Sequence, residues 1–211
     1  MPCMDNDVLR RGKPTVHVQF GEARALLAGD ALQALAFELL TPEGADVPPA
    51  MQAELCRLLA RAAGAQGMAG GQAIDLASVG KPLIETELRS MHERKTGALL
   101  QASVRMGAAC GSAVTPAARA ALDDFGAVIG LAFQVVDDIL DVTADSAELG
   151  KTAGKDAAAD KPTYVSLLGL PAAQALADAL CSQAHAALDA SGLPGVERLR
   201  ALADLVVKRR N

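Results

Sequence analysis

Apolar residues recur at helical spacing across residues 117–142, a stretch opened by Pro116 and interrupted by no further proline. One period held over that length commits the segment to a long helix, and composition carries the same preference through the chain. Roughly a fifth of the 211 residues are alanine, the best helix former, whereas aromatic residues make up 2%, with no Trp, one Tyr and four Phe. Strands draw on Val, Ile, Thr and aromatic side chains, so an all-β sandwich or barrel is excluded. Residues 22–40 and 50–65 read as two further helices, separated by a loop holding Pro42, Gly44, Pro48 and Pro49. Residues 82–111 read as one long helical stretch with a kink at Gly97. Residues 163–210 read as two or three amphipathic helices broken around Pro171 and at residues 191–194. Without a fixed-period repeat or a low-complexity linker, residues 1–211 are expected to form one all-α domain.

Lys and Arg number 20 against 25 Asp and Glu, a net charge of −5. A nucleic-acid binder would carry a basic face and stacking aromatics; this chain has neither. Its most apolar run, residues 126–133, gives way to Gln134 and then Asp137, well short of the roughly eighteen apolar residues of a membrane span. The first residues place acids ahead of Arg10 and Arg11 with no apolar run behind them, unlike a signal peptide. Cys3, Cys56, Cys110 and Cys181 are far apart, with no C-x-x-C pair. They read as incidental thiols of a cytoplasmic protein rather than as a metal or disulfide framework.

The chemistry is concentrated in FQVVDDILDVTAD. At about 100° per residue, Gln134, Asp137, Asp138 and Asp141 share a sector of roughly 100°, flanked by apolar Phe133, Val136 and Leu140. Carboxylates crowded on a mostly buried helix repel one another unless cations neutralise them. Such an oxygen-rich set suits Mg²⁺, which takes one or two carboxylates and completes its shell with water and substrate phosphates. The alternating acids of an EF-hand are absent. Gly150-Lys151-Thr152 mimics the end of a P-loop, but Asp145 stands where its upstream Gly is required. Lys95-Thr96 at the expected kink, with Lys151 and Lys161 after the acidic helix, could complete a diphosphate site.

Together these residues resemble the trans-isoprenyl diphosphate synthases, the farnesyl and geranylgeranyl diphosphate synthase family. The likeness runs through MDNDVLRRGKPTVHVQFGEARALLAGDAL, GGQAIDL, Lys95-Thr96, GLAFQVVDDILD and LGKTAGKDAAADKPTYVSLLGL, with the short-chain bacterial farnesyl type the most similar. It implies an isoprenoid-synthase-type helical bundle, a homodimer, and Mg²⁺-dependent condensation of isopentenyl diphosphate with an allylic diphosphate such as dimethylallyl or geranyl diphosphate. By resemblance, Asp137, Asp138 and Asp141 form the second aspartate-rich motif and bind the metal, with Asp5 surviving from the first. Lys95, Lys151, Lys161 and Arg10 contact the allylic diphosphate and Arg11 the isopentenyl diphosphate. Lys95, Thr96 and Gln134 carry the catalytic roles, the oxygens of Thr96 and Gln134 facing the developing allylic cation. Gln72 and Asp75 fall near the allylic pocket. The family uses the released diphosphate as base, so His17, His92 and His185 are read as structural or surface residues.

The sequence departs from the pattern at its start. Of the D-D-x-x-x-x-D form of the first motif, residues 1–5 fit only the last five positions, ending at Asp5. The two leading aspartates and the helices before them would precede Met1. The expectation is therefore the C-terminal two-thirds of the family fold, truncated at the N-terminus, with product-length determinants missing and catalysis impaired. A geranylgeranyl or longer-chain synthase is the alternative within the enzyme class. A non-catalytic partner subunit of a heteromeric synthase is the alternative outside it, and the intact acidic set argues against that. A terpene cyclase would carry more aromatic residues.

Overall fold

The computed structural model describes residues 2–44, 46–81, 83–111, 114–143 and 162–209. The chain opens with a small antiparallel hairpin, β1 (Leu9–Arg10) and β2 (Lys13–Pro14), in which Leu9 pairs with Pro14 and Arg10 with Lys13. Arg11 and Gly12 between them have φ of +52° and +71°, the two left-handed residues that a two-residue type I′ turn requires. Composition gave no signal for this hairpin, because a two-residue strand needs a turn rather than a run of strand formers.

Among the described residues, all the other elements are helical. α1 (Val16–Phe20) and α2 (Glu22–Leu40) meet at Gly21, and α2 stops just before Pro42. α3 (Pro49–Ala63) begins with Pro49 in its first turn, where the missing N–H costs nothing. α4 (Met68–Ala77) takes up a stretch whose glycines gave no helical reading. α5 (Glu85–His92) leads through a π turn (Glu93–Gly97) into α6 (Ala98–Cys110), so the expected kink is a widened helical turn. α7 (Pro116–Thr143) matches the long periodic stretch to within a residue at each end.

α8 (Tyr164–Leu168) is started by Thr163, whose Oγ1 accepts from the Ser166 N–H at 3.0 Å. It ends at Gly169, φ +81°, which turns the chain into α9 (Leu170–Ser191). The break expected around Pro171 therefore falls at Gly169, and Pro171 lies inside the first turn of α9. Gly192 closes α9 in the left-handed cap conformation, φ 61° and ψ 12°, with Pro194 just beyond. α10 (Glu197–Lys208) begins with an acid and ends with a base, in line with its dipole.

α7 is the central helix. α9 lies along one side of it and α6 along another, with α5, α8 and α10 also against it. Phe125 and Val135 of α7, Leu88 and Met91 of α5, Tyr164 of α8 and Leu188 of α9 are the most completely buried large side chains. α2 is the opposite case. It packs on α1 and more lightly on α3, buries no residue, and leaves Leu27 and Leu39 65% and 70% exposed.

Candidate active site

The site is organised by the π turn, a one-turn widening that is often retained where function requires it. Two glycines let its neighbours close on it. A Cβ on Gly130 of α7 would come within 2.6 Å of the Gly97 Cα, and one on Gly71 of α4 would run into the backbone N of Lys95. Only glycine permits approach at this distance, so α4, the π turn and α7 meet backbone to backbone.

That junction brings the residues singled out by sequence into pairs. Lys95 Nζ donates to Asp75 Oδ2 at 2.8 Å, with Asp75 almost wholly buried. Thr96 Oγ1 donates to Gln134 Oε1 at 2.7 Å, tying the π turn to the acidic helix. Having given up its proton in that bond, Thr96 presents only lone pairs, and the Gln134 carbonyl keeps a second lone pair. The exposed edge of the pair is electron-rich. Gln72, on the same helix as Asp75, has a buried side-chain nitrogen without a partner among the described residues.

The acidic sector divides at its edges. Asp138 is 3% exposed and turns inward, accepting from the Tyr164 N–H at 2.8 Å, with His92 Nε2 at 4.0 Å from the same oxygen. Asp137, on the opposite edge, keeps a side chain 31% exposed and faces Arg209, whose Nη2 lies 3.4 Å from its Oδ1. Asp141 stacks one turn beyond Asp137 and is 4% exposed. Arg209 also donates to the Phe133 carbonyl at 2.9 Å, and its guanidinium lies over the Phe133 ring, 3.9 Å from the centroid. The acidic stripe is thus no solvated face, since two of its three carboxylates are buried.

His92 and Tyr164 stack beneath this wall with centroids 5.8 Å apart. Burial, reinforced by the charge on Lys95, lowers the His92 pKa to about 4 and keeps the ring neutral. Burial likewise pushes the Tyr164 hydroxyl up to about 12. His92 thus packs behind Asp138 as a neutral, buried ring.

The donor set fits a hard cation. Asp137 and Asp141 supply carboxylate oxygens one helical turn apart, and the Arg209 guanidinium already occupies a cationic position against Asp137. Arg209 itself was missed by sequence reasoning, which read this end of the chain only as amphipathic helix. Arg10 lies on β1 and Arg11 in its turn, both exposed, and Asp5 is exposed just before the hairpin. Lys151 and Lys161 lie outside the described residues.

Residues 3–190 match the family described as polyprenyl synthetase. A probable farnesyl diphosphate synthase of Bradyrhizobium diazoefficiens is 55% identical over 205 residues, covering 96% of this chain and 61% of its own length. The farnesyl diphosphate synthase of Haemophilus influenzae is 45% identical over 212 residues, covering 100% of this chain and 71% of itself. Among solved structures, a geranyltransferase of Helicobacter pylori complexed with magnesium and isoprenyl diphosphate superposes with a TM-score of 0.86 at 38% identity. It matches 98% of this chain and 67% of its own. The chain spans about 60% of the length of the Bradyrhizobium relative and of a second probable farnesyl diphosphate synthase, from Sinorhizobium fredii.

Proposed function

Because the chain belongs to the polyprenyl synthetase family, we propose that it serves as a Mg²⁺-dependent prenyltransferase. It joins isopentenyl diphosphate to dimethylallyl or geranyl diphosphate, with farnesyl diphosphate as product. The observation that carries this reading is the hydrogen-bonded junction between Thr96 of the π turn and Gln134 of α7. Along that seam lie a cation, Lys95, an electron-rich pair of oxygens, and the carboxylates of Asp137 and Asp141.

In this reading Lys95, Lys151, Lys161 and Arg10 hold the allylic diphosphate, and Arg11 holds the isopentenyl diphosphate. The allylic C–O bond breaks with its electron pair passing to the diphosphate. The oxygens of Thr96 and Gln134 stabilise the positive charge left on the allylic carbons. The isopentenyl double bond then attacks to form the new C–C bond, and a proton leaves to the released diphosphate as a double bond re-forms. Mg²⁺, when bound, screens the diphosphate charge and improves it as a leaving group. Asp137 and Asp141, together with Asp5, would hold the ion, while Asp138, accepting from the Tyr164 N–H, fixes the helix from within.

The same reading makes residues 1–211 a single synthase domain, working in the cytoplasm as a homodimer. The exposed leucines of α2 support association. Among the described residues, no helix is long and apolar enough to cross a membrane.

The test pairs turnover with binding. Purified protein is incubated with labelled isopentenyl diphosphate, Mg²⁺ and geranyl diphosphate, and the products are sized by chromatography. Calorimetry then measures geranyl diphosphate binding with and without Mg²⁺. A discrete fifteen-carbon product, or Mg²⁺-dependent binding abolished by Asp137→Ala, supports the reading. Absence of both overturns it.

A further inference from the structure

We propose that Cys181, His185 and Asp204 form a transition-metal site, of the kind Zn²⁺ occupies, that clips α9 to α10. Cys181 and His185 stand four residues apart on one face of α9, and Asp204 reaches them from α10. Their ligand atoms form a closed triangle. Cys181 Sγ lies 3.9 Å from His185 Nε2 and 3.6 Å from Asp204 Oδ1, and His185 Nε2 lies 3.3 Å from Asp204 Oδ1.

Those separations match what a tetrahedral ion demands. With a Zn–S bond of about 2.3 Å and Zn–N and Zn–O bonds of about 2.0–2.2 Å, ligand atoms at tetrahedral angles stand about 3.3–3.6 Å apart. Two edges already agree, and the third closes by a small rotation of Cys181 or His185. A thiolate, a neutral imidazole and a carboxylate carry two negative charges between them, matching a divalent ion. The sulfur and imidazole donors select zinc or cobalt over magnesium.

The position is reachable. The His185 and Asp204 side chains are 31% and 43% exposed, which leaves the fourth vertex to water. Before the ion enters, the Cys181 thiol donates to Asp204; as the metal–sulfur bond forms, the thiol proton leaves to solvent. Lys208 Nζ, 3.9 Å from Asp204 on a side chain 76% exposed, is an ammonium placed against the site, and it can swing away. Asp178, one turn before Cys181, adds negative charge on the favourable side.

The site lies apart from the π turn and α7 seam, and its consequence is mechanical. α10 ends at Lys208, and the next residue is the Arg209 that seats on Phe133 and Asp137. A clip at Asp204, one turn earlier, fixes the helix from which Arg209 extends.

Co²⁺ is the probe, titrated into chelator-treated, reduced protein with excess Mg²⁺ present to fill oxygen-only sites. The expected result is one equivalent bound, with a thiolate-to-cobalt charge-transfer band and the intense visible bands of four-coordinate cobalt. Zn²⁺ should displace it. The charge-transfer band should vanish in Cys181→Ser, affinity should fall at least ten-fold in His185→Gln, and it should rise in Lys208→Gln. Circular dichroism verifies that each variant is folded. A wild-type protein without the charge-transfer band, or a band retained in Cys181→Ser, would show an ordinary hydrogen-bonded cluster and overturn the proposal.

Discussion

Thr96 donates its hydroxyl proton to the side-chain carbonyl of Gln134 at 2.7 Å, across 38 residues of sequence. The bond fixes the hydroxyl's orientation, so the lone pairs of both residues are held in place before any substrate arrives. Preorganisation of this kind stabilises charge without reorganisation during the reaction.

The first prediction removes that bond. Thr96→Val keeps the shape of the side chain and deletes the oxygen. It should lower kcat at least ten-fold while leaving KM for the allylic diphosphate within about three-fold. The stability cost is that of one lost hydrogen bond, about 1 kcal/mol. Because the two oxygens act as a unit, Thr96→Val combined with Gln134→Leu should be less damaging than the product of the two single effects. Steady-state kinetics of the four proteins checks this, and multiplicative losses would dissolve the pair as a functional unit.

The three aspartates of α7 should separate by assay. Asp137→Asn and Asp141→Asn should cut turnover by orders of magnitude and weaken its Mg²⁺ dependence. Asp138→Ala strips the Tyr164 amide of its acceptor inside the core, an unmet donor worth about 1–3 kcal/mol. Urea denaturation should therefore register Asp138→Ala more strongly than Asp137→Asn. Equal stability losses would mean that the inward and outward edges of the stripe share one role.

The extents of α2 and α7 were legible because their signals are local: Pro42 just past the end of α2, Pro116 at the start of α7, and an unbroken apolar period within each. The acidic sector was legible as a sector, since spacing alone puts Gln134, Asp137, Asp138 and Asp141 on one side of a helix. Which edge turns inward was not, because the deciding partner is an amide 26 residues downstream in α8. α4 was not read as a helix from its glycine-rich sequence, whereas Gly71 is the contact that lets the π turn approach. Cys181 and His185 carry a legible helical spacing, but Asp204 joins them only once α10 folds back on α9.

His92 should make the fold acid-sensitive in a defined window. It is held near pKa 4 by burial first and Lys95 second, against the pull of Asp75 and Asp137, with the Asp138 carboxylate and the Tyr164 ring also facing it. An unfolded chain protonates the same ring near its ordinary pKa of 6.5. Between these values the unfolded state binds the proton and the native state does not, so stability falls as pH drops through the window. The full effect is on the order of 3 kcal/mol, and above the upper value it is absent. His92→Phe keeps the stack on Tyr164 and removes the titration. Urea midpoints measured from pH 7 to pH 4.5 should fall less steeply for the variant; parallel curves would exclude His92 as the cause.

α2 carries the last prediction, that two copies of the chain associate through it. Leu32, Leu35 and Leu39 fall within about 60° of one another around the helix, and all three are exposed. Phe20 and Val16 extend the apolar surface onto α1. Fully burying a leucine is worth about 1.5–3 kcal/mol; since Leu32, Leu35 and Leu39 are 65%, 42% and 70% exposed, three from each of two protomers release roughly 5–11 kcal/mol. That is comparable with the 4–15 kcal/mol cost of association, and the neighbouring α1 residues tip the balance. Sedimentation equilibrium should therefore find a dimer at micromolar protein. Leu32→Glu with Leu39→Glu should give a monomer whose helical signal is unchanged, since neither side chain contributes to the buried core. A dimer surviving both substitutions would assign the interface to another face.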